Sequence, residues 1–188
     1  MTKLIYITHP EVIIDTDIDI DSWQISPLGW DRVQNLLSLD FWHVVEKVYT
    51  STEPKAYTIA EKVSKKYNIE FEKVRDLREI DRSSTGIIRP LSKYMEVVQS
   101  SYENISDQVR GWESIDSVML RNSNVVEKLK VKHPRETIVI IGHGCAGTTI
   151  KCYIKNIPPS FREDPQKTGC YFMADLDGNC LLYTSRCV

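Results

Sequence analysis

Nowhere among the 188 residues do 18 consecutive apolar residues occur, so no segment is long enough to span a bilayer as a helix. The amino terminus, Met1-Thr2-Lys3, runs straight into a short apolar stretch with no signal-like segment, and a cytoplasmic location is the expectation. An excess of one charge is missing too. With 24 Lys and Arg against 26 Asp and Glu the formal net charge is -2, which argues against binding nucleic acid or an anionic membrane through net charge. No Cys-x-x-Cys pair exists, and five cysteines (Cys145, Cys152, Cys170, Cys180, Cys187) fit reduced thiols better than a disulfide framework. No Pro-, Gly- or Ser-rich linker, charge block, repeat or low-complexity segment divides the chain, so residues 1–188 read as one domain. No heptad seam or isolated apolar stripe defines an oligomeric state.

Two histidines stand at the ends of short apolar runs: His9 after Leu4-Ile5-Tyr6-Ile7-Thr8, and His143 after Thr137-Ile138-Val139-Ile140-Ile141-Gly142. Brief β-branched runs are the signature of buried parallel strands, and open α/β sheets place their ligand crevice at the carboxyl ends of such strands. The segments that follow are helical in pattern, so helix amino termini face the same edge and can receive anions. A phosphorylated ligand is therefore expected at a site assembled from both ends of the chain.

Between these strands the pattern alternates strand and helix. Residues 11–23 are acidic and aperiodic and read as a loop over the strand edge, with Asp15, Asp17, Asp19 and Asp21 as a solvated face. Ser26-Pro27 starts a helix expected over 27–39, with Val33, Leu36, Leu37 and Phe41 as its apolar stripe. Residues 44–49 predict a second strand, and Ala56, Ala60, Val63 and Tyr67 the helix after it. A third strand is expected over 69–74, then a charged, aperiodic stretch over 75–90. The segment 86–111 is expected to line the site entrance. Ile115, Val118, Val125 and Leu129 mark a long helix stopped near His133-Pro134, a further helix covers 144–155, and Asp177-Gly178 turns a hairpin of 171–175 with 180–184. Trp23, Trp30, Trp42 and Trp112 have no basic residues interleaved and read as packing residues. His43 and His133 read as surface or capping residues.

Several motifs occur in a telling order. Thr8-His9-Pro10 ends the first strand, Ile25-Ser26-Pro27-Leu28-Gly29 opens a helix, and Thr50-Ser51-Thr52-Glu53-Pro54-Lys55-Ala56 follows the second strand. Leu77-Arg78-Glu79 with Gly86, Glu113-Ser114 with Arg121, and Gly142-His143-Gly144 complete the series. This order resembles the histidine phosphatase superfamily, over nearly the whole chain. The resemblance implies a phosphoglycerate mutase-like fold: α/β, three layers α/β/α around a mostly parallel central sheet. In that family the first strand ends in Arg-His-Gly, so here Thr8 and Pro10 replace both neighbours of the histidine, and Lys55 stands where the family has its second phosphate-binding arginine.

The resemblance implies that His9 is phosphorylated, that Glu79 is acid and base, and that His143 stabilises the transferring phosphoryl group, with no metal and no other cofactor. Thr8, Lys55, Arg82, Arg121 and Gly144 are the candidate phosphate-binding residues. A guanidinium grips two phosphate oxygens where an ammonium is a point donor, so Arg82, in the loop that carries Glu79, is the better compensation for the missing arginines, with Arg121 second. Glu53, two residues before Lys55, is placed to orient that ammonium or its loop. For Arg82 and Arg121 an ion pair with a neighbouring carboxylate is an equal alternative. The expected activity is metal-independent hydrolysis of a small phosphomonoester. Two alternatives stand beside it: a catalytically weak or inactive module of the same fold that binds a phosphorylated ligand or a protein, and a metal hydrolase built on His9 and His143, for which the motif spacing is lacking.

Overall fold

The computed structural model describes residues 1–164, 167–178 and 180–187. Six strands form one sheet: β1 (Lys3–Thr8), β2 (Lys47–Thr50), β3 (Phe71–Lys73), β4 (Thr137–Gly142), β5 (Cys170–Asp175) and β6 (Cys180–Cys187), in the order β3-β2-β4-β1-β5-β6. The first four are mutually parallel, whereas β5 runs antiparallel to β1 and β6 antiparallel to β5. Five α-helices accompany them: α1 (Pro27–Leu36), α2 (Pro54–Tyr67), α3 (Leu91–Glu103), α4 (Ile115–Lys132) and α5 (Gly144–Ile154). This is the three-layer, mostly parallel α/β arrangement expected from the sequence.

Alternation along the strands builds the layers, because successive side chains leave a strand on opposite faces. Ile5, Ile7, Val48, Val139 and Ile141 pack on one face with Val33 and Leu36 of α1 and Ala56, Ile59 and Ala60 of α2. Leu4, Tyr6, Tyr49, Ile138 and Ile140 pack on the other, with Val125, Val126 and Leu129 of α4 and Ile150 of α5. A satellite cluster of Ile80, Val97, Tyr102, Trp112, Ile115 and Val118 joins α3 to the start of α4 above the sheet edge.

Local chemistry sets the boundaries. Ser26 caps α1 by accepting the Gly29 N–H at 3.0 Å, with Pro27 at the first helical position. That helix ends at Leu36 rather than 39, because Leu37 already closes it with bonds to the Val33 and Asn35 carbonyls. Helix α4 ends at Lys132, before Pro134, as the proline dictates. The acidic 11–23 segment is a loop pinned by a Val12–Ile25 bridge and by the Trp23 indole N–H donating to the Asp15 carbonyl at 2.8 Å. Asp17, Asp19 and Asp21 are exposed on it.

Three expectations need correction. The 86–111 stretch is not merely an entrance loop, since α3 occupies its centre. Cys170 is disulfide-bonded rather than a reduced thiol, whereas Cys145 and Cys152 are free. His133 does stand at the C-cap of α4, but it is buried rather than on the surface: its ring joins the Tyr49 hydroxyl (2.6 Å) and the Glu136 carboxylate (2.6 Å). No helix of the described residues is long and apolar enough to cross a membrane.

Candidate active site

Strands β1 and β4 lie side by side in parallel with Thr8 opposite Gly142, so the next residue of each, His9 and His143, emerges at the same carboxyl edge. The His9 N–H donates to the Gly142 carbonyl at 3.0 Å, which holds the two strand ends together. The imidazole centroids are 5.2 Å apart, edge to face at 71°. His9 Nδ1 lies 2.8 Å from the Pro10 carbonyl oxygen, which can only accept, so Nδ1 carries the proton and Nε2 keeps its lone pair. Burial lowers the His9 pKa to about 4, against the opposing Pro10 bond and with help from the charges of Lys55 and Arg82. The ring is therefore neutral at neutral pH. His143 is fully buried and its pKa is pushed well below the ordinary value, first by burial and then by His9 and nearby cations. Neither of its ring nitrogens has a hydrogen-bond partner within the protein, although Nε2 lies 3.3 Å from Glu53 Oε1.

Tyr6 sets the height of His143. Its hydroxyl accepts the His143 backbone N–H at 2.8 Å and donates to the His143 carbonyl at 2.9 Å. A Cβ at Gly142 or Gly147 would collide with the Tyr6 ring, which is why glycine flanks the histidine on both sides of the turn into α5.

Glu79 reaches the amino terminus of α5. Its carboxylate accepts the backbone N–H groups of Ile80 (2.9 Å), Cys145 (3.2 Å) and Ala146 (3.2 Å). Burial raises its pKa although these bonds favour the anion, and the neighbouring Glu53 charge raises it further. Gly144 opens the same helix, close enough that a Cβ there would stand 3.9 Å from Glu79 Oε2.

The remaining candidates separate into those that face the histidine pair and those turned elsewhere. Thr8 does not offer its hydroxyl to the site: Oγ1 donates to the Cys170 carbonyl and accepts the Cys170 N–H, both at 2.9 Å, because antiparallel β5 lies alongside. Arg121 does not reach it either. Its guanidinium holds both Glu113 oxygens (2.8 and 3.0 Å) and the carbonyls of Asp76, Arg78 and Glu79, so it fixes the segment that carries Glu79. Lys55 is adjacent but engaged, its ammonium 2.5 Å from Glu53 Oε2 and 2.7 Å from the Ile20 carbonyl of the acidic loop. Arg82 differs: its guanidinium lies over the Tyr94 ring at 5.1 Å, and no carboxylate pairs with it among the described residues. Its charge is felt at His9, His143 and Glu79.

Tyr6 and Tyr94 escaped the sequence reading. Tyr6 is indistinguishable in pattern from a core strand residue, while Tyr94 lies on the unrecognised helix α3. A small pocket between α5 and β5 is lined by Thr8, Gly144, Thr148, Lys151, Tyr171 and Phe172.

Comparison with known proteins bears on the family and the fold. The family model described as histidine phosphatase superfamily (branch 1) matches residues 24–180. No curated protein sequence matches the chain. Among solved structures, a mycobacterial glucosyl-3-phosphoglycerate phosphatase superposes with a TM-score of 0.77 at 15% identity, over 98% of this chain and 95% of the other. A Bacillus stearothermophilus protein, YhfR, gives 0.76 at 19% identity over 97% and 95%. Phosphoserine phosphatase from Entamoeba histolytica, in complex with 3-phosphoglyceric acid, gives 0.79 at 17% over 99% and 98%. At these identities the likeness concerns the fold.

Proposed function

Because the chain belongs to the histidine phosphatase superfamily, we propose that it hydrolyses a small phosphomonoester through a phosphohistidine on His9, with no metal taking part. The observation that carries this reading is the buried, neutral imidazole pair 5.2 Å apart, with His9 Nδ1 pinned on the Pro10 carbonyl so that Nε2 is the nucleophile.

In the first step Nε2 bonds to phosphorus as the bond to the leaving oxygen breaks, and Glu79 supplies the proton that oxygen needs. The raised pKa of Glu79 suits a donor. In the second step water attacks phosphorus, the P–N bond breaks, and the Glu79 carboxylate takes the proton of water. His143, whose ring nitrogens are unpartnered, donates a hydrogen bond to a phosphoryl oxygen where charge accumulates. Arg82 supplies the guanidinium on the transferring group, from a different wall than the family's arginines. Gly144 offers its backbone at the start of α5, beside Glu79. Thr8 and Arg121 act by holding strand and loop.

One observation favours the weaker alternative of a slow or inactive module: the Thr8 hydroxyl is taken up by Cys170, and the Lys55 ammonium is already paired with Glu53 and bonded to the Ile20 carbonyl. Release of phosphate from a generic aryl phosphate by the protein and by His9→Ala, with and without chelator, separates the two. Chelator-insensitive turnover that falls by about a thousandfold in His9→Ala is expected. Equal release by both proteins overturns the nucleophile, and no release by either, with phosphate still bound, favours the module.

A further inference from the structure

Glu53 is the N-cap residue of α2, yet its side chain makes no capping bond. It turns inward and touches three members of the site. Oε2 lies 2.5 Å from Lys55 Nζ, while Oε1 accepts the Glu79 N–H at 2.7 Å and stands 3.3 Å from His143 Nε2. Glu53 and Lys55 are only 8% and 4% exposed, so this ion pair forms where solvent screens least. A second of the ammonium's three N–H groups goes to the Ile20 carbonyl.

A charge count over the groups around the two imidazoles gives two cations, Lys55 and Arg82, and two carboxylates, Glu53 and Glu79. Behind them Arg121 is neutralised by Glu113. With His9 and His143 neutral, the cleft carries no net charge when Glu79 is ionised and a single positive charge when Glu79 holds the proton it donates. A doubly charged phosphoryl group entering it meets Arg82 as the cation without a carboxylate partner among the described residues, and it also meets the Glu53 carboxylate. Two extra negative charges in a desolvated cleft are costly, one much less so.

We infer that Glu53 is a specificity-determining residue: by holding Lys55 away from the incoming phosphoryl group, its carboxylate selects the singly charged form of that group over the doubly charged form. The inference rests on reading this cleft as a phosphoryl site, but its test needs binding only. Inorganic phosphate is titrated calorimetrically into the protein, Glu53→Gln and Glu53→Gln/Lys55→Gln at pH 6 and pH 8. The glutamine oxygen still accepts the Glu79 N–H, so the loop is retained, and His9, which titrates at about 4, keeps its charge state across this window.

The protein is expected to bind phosphate better at pH 6 than at pH 8. Glu53→Gln is expected to bind at least about tenfold tighter than the parent at pH 8, where the dianion prevails, with a smaller gain at pH 6. The double variant loses that gain. Equal or weaker affinity of folded Glu53→Gln at pH 8, or a gain that persists in the double variant, overturns the inference. Should Glu53→Gln fail to fold, Glu53→Asp, which withdraws the carboxylate by one methylene, is expected to shift affinity in the same direction by less, and no shift overturns the inference. The two readings fail separately. Tighter phosphate binding by Glu53→Gln without turnover by any variant sinks hydrolysis and leaves the role of Glu53 intact, whereas turnover by the parent with no gain in Glu53→Gln does the reverse.

Discussion

Arg82 and Arg121 carry the same charge and differ in almost everything else. Arg121 is surrounded by acceptors on two chain segments, whereas Arg82 rests on an aromatic face with its hydrogen-bonding edge uncommitted to any carboxylate among the described residues. Replacing Arg82 by alanine should therefore lower kcat/KM for an aryl phosphate by about a hundredfold to a thousandfold while leaving the melting temperature nearly unchanged. Lysine at the same place should recover only part of the loss, because an ammonium lacks the planar fork. Unchanged kcat/KM in Arg82→Ala would remove it from the site. Sequence alone ranked Arg82 first because it shares a loop with Glu79, but could not show that the donors of Arg121 are already in use. The partners of Arg121 include carbonyls 42 to 45 residues away, and Thr8 is occupied by a strand 162 residues distant. Which donors are already in use is a property of tertiary neighbours.

Helix α4 holds the acid of the site at a distance. Through Arg121 it ties Glu113 to the carbonyls before and at Glu79, and the Glu79 carboxylate then caps α5. Burial pushes the Glu113 carboxyl up, but Arg121 outweighs it and leaves the pKa below the ordinary value. Arg121→Met should cost about 2 kcal/mol of stability, because it removes two charge-assisted bonds from the partly buried Glu113 carboxylate and leaves it the longer Arg78 contact at 3.6 Å. It should also lower kcat more than it raises KM, since Glu79 loses its anchor. Chemical denaturation with steady-state kinetics checks both, and a variant that is destabilised with unaltered kcat would confine Arg121 to the scaffold. At this scale the sequence was most informative where one face meets the sheet: β1, β2 and β4 are β-branched runs, and α2 repeats small and apolar residues at helical spacing. Helix α3 escaped because it packs on a satellite cluster, burying only Val97, Ser101 and Tyr102. So narrow a stripe is easily lost among charges.

The whole molecule registers its active site in its acid stability. In the unfolded chain both site imidazoles take up protons near 6.5, whereas in the fold His9 does so at about 4 and burial holds His143 well below its ordinary value. Between these values the unfolded state binds more protons, so stability falls as pH falls from about 6.5 toward 4. Glu79, whose pKa is raised in the fold, works in the opposite sense. The melting temperature should drop across this window, and the drop should be shallower in His143→Gln; parallel curves would show that His143 does not hold a proton off in the fold. That both histidines meet at all was legible, since two strand ends in a parallel sheet share an edge. What keeps them at a working separation was not, because it depends on Tyr6, a residue of the first strand, filling the space left by Gly142 and Gly147 beside the fourth. These three positions are sterically one unit. A lineage that shrinks Tyr6 is released from both glycines, while one that keeps Tyr6 cannot change either glycine alone, so drift in this part of the chain should proceed by joint replacement.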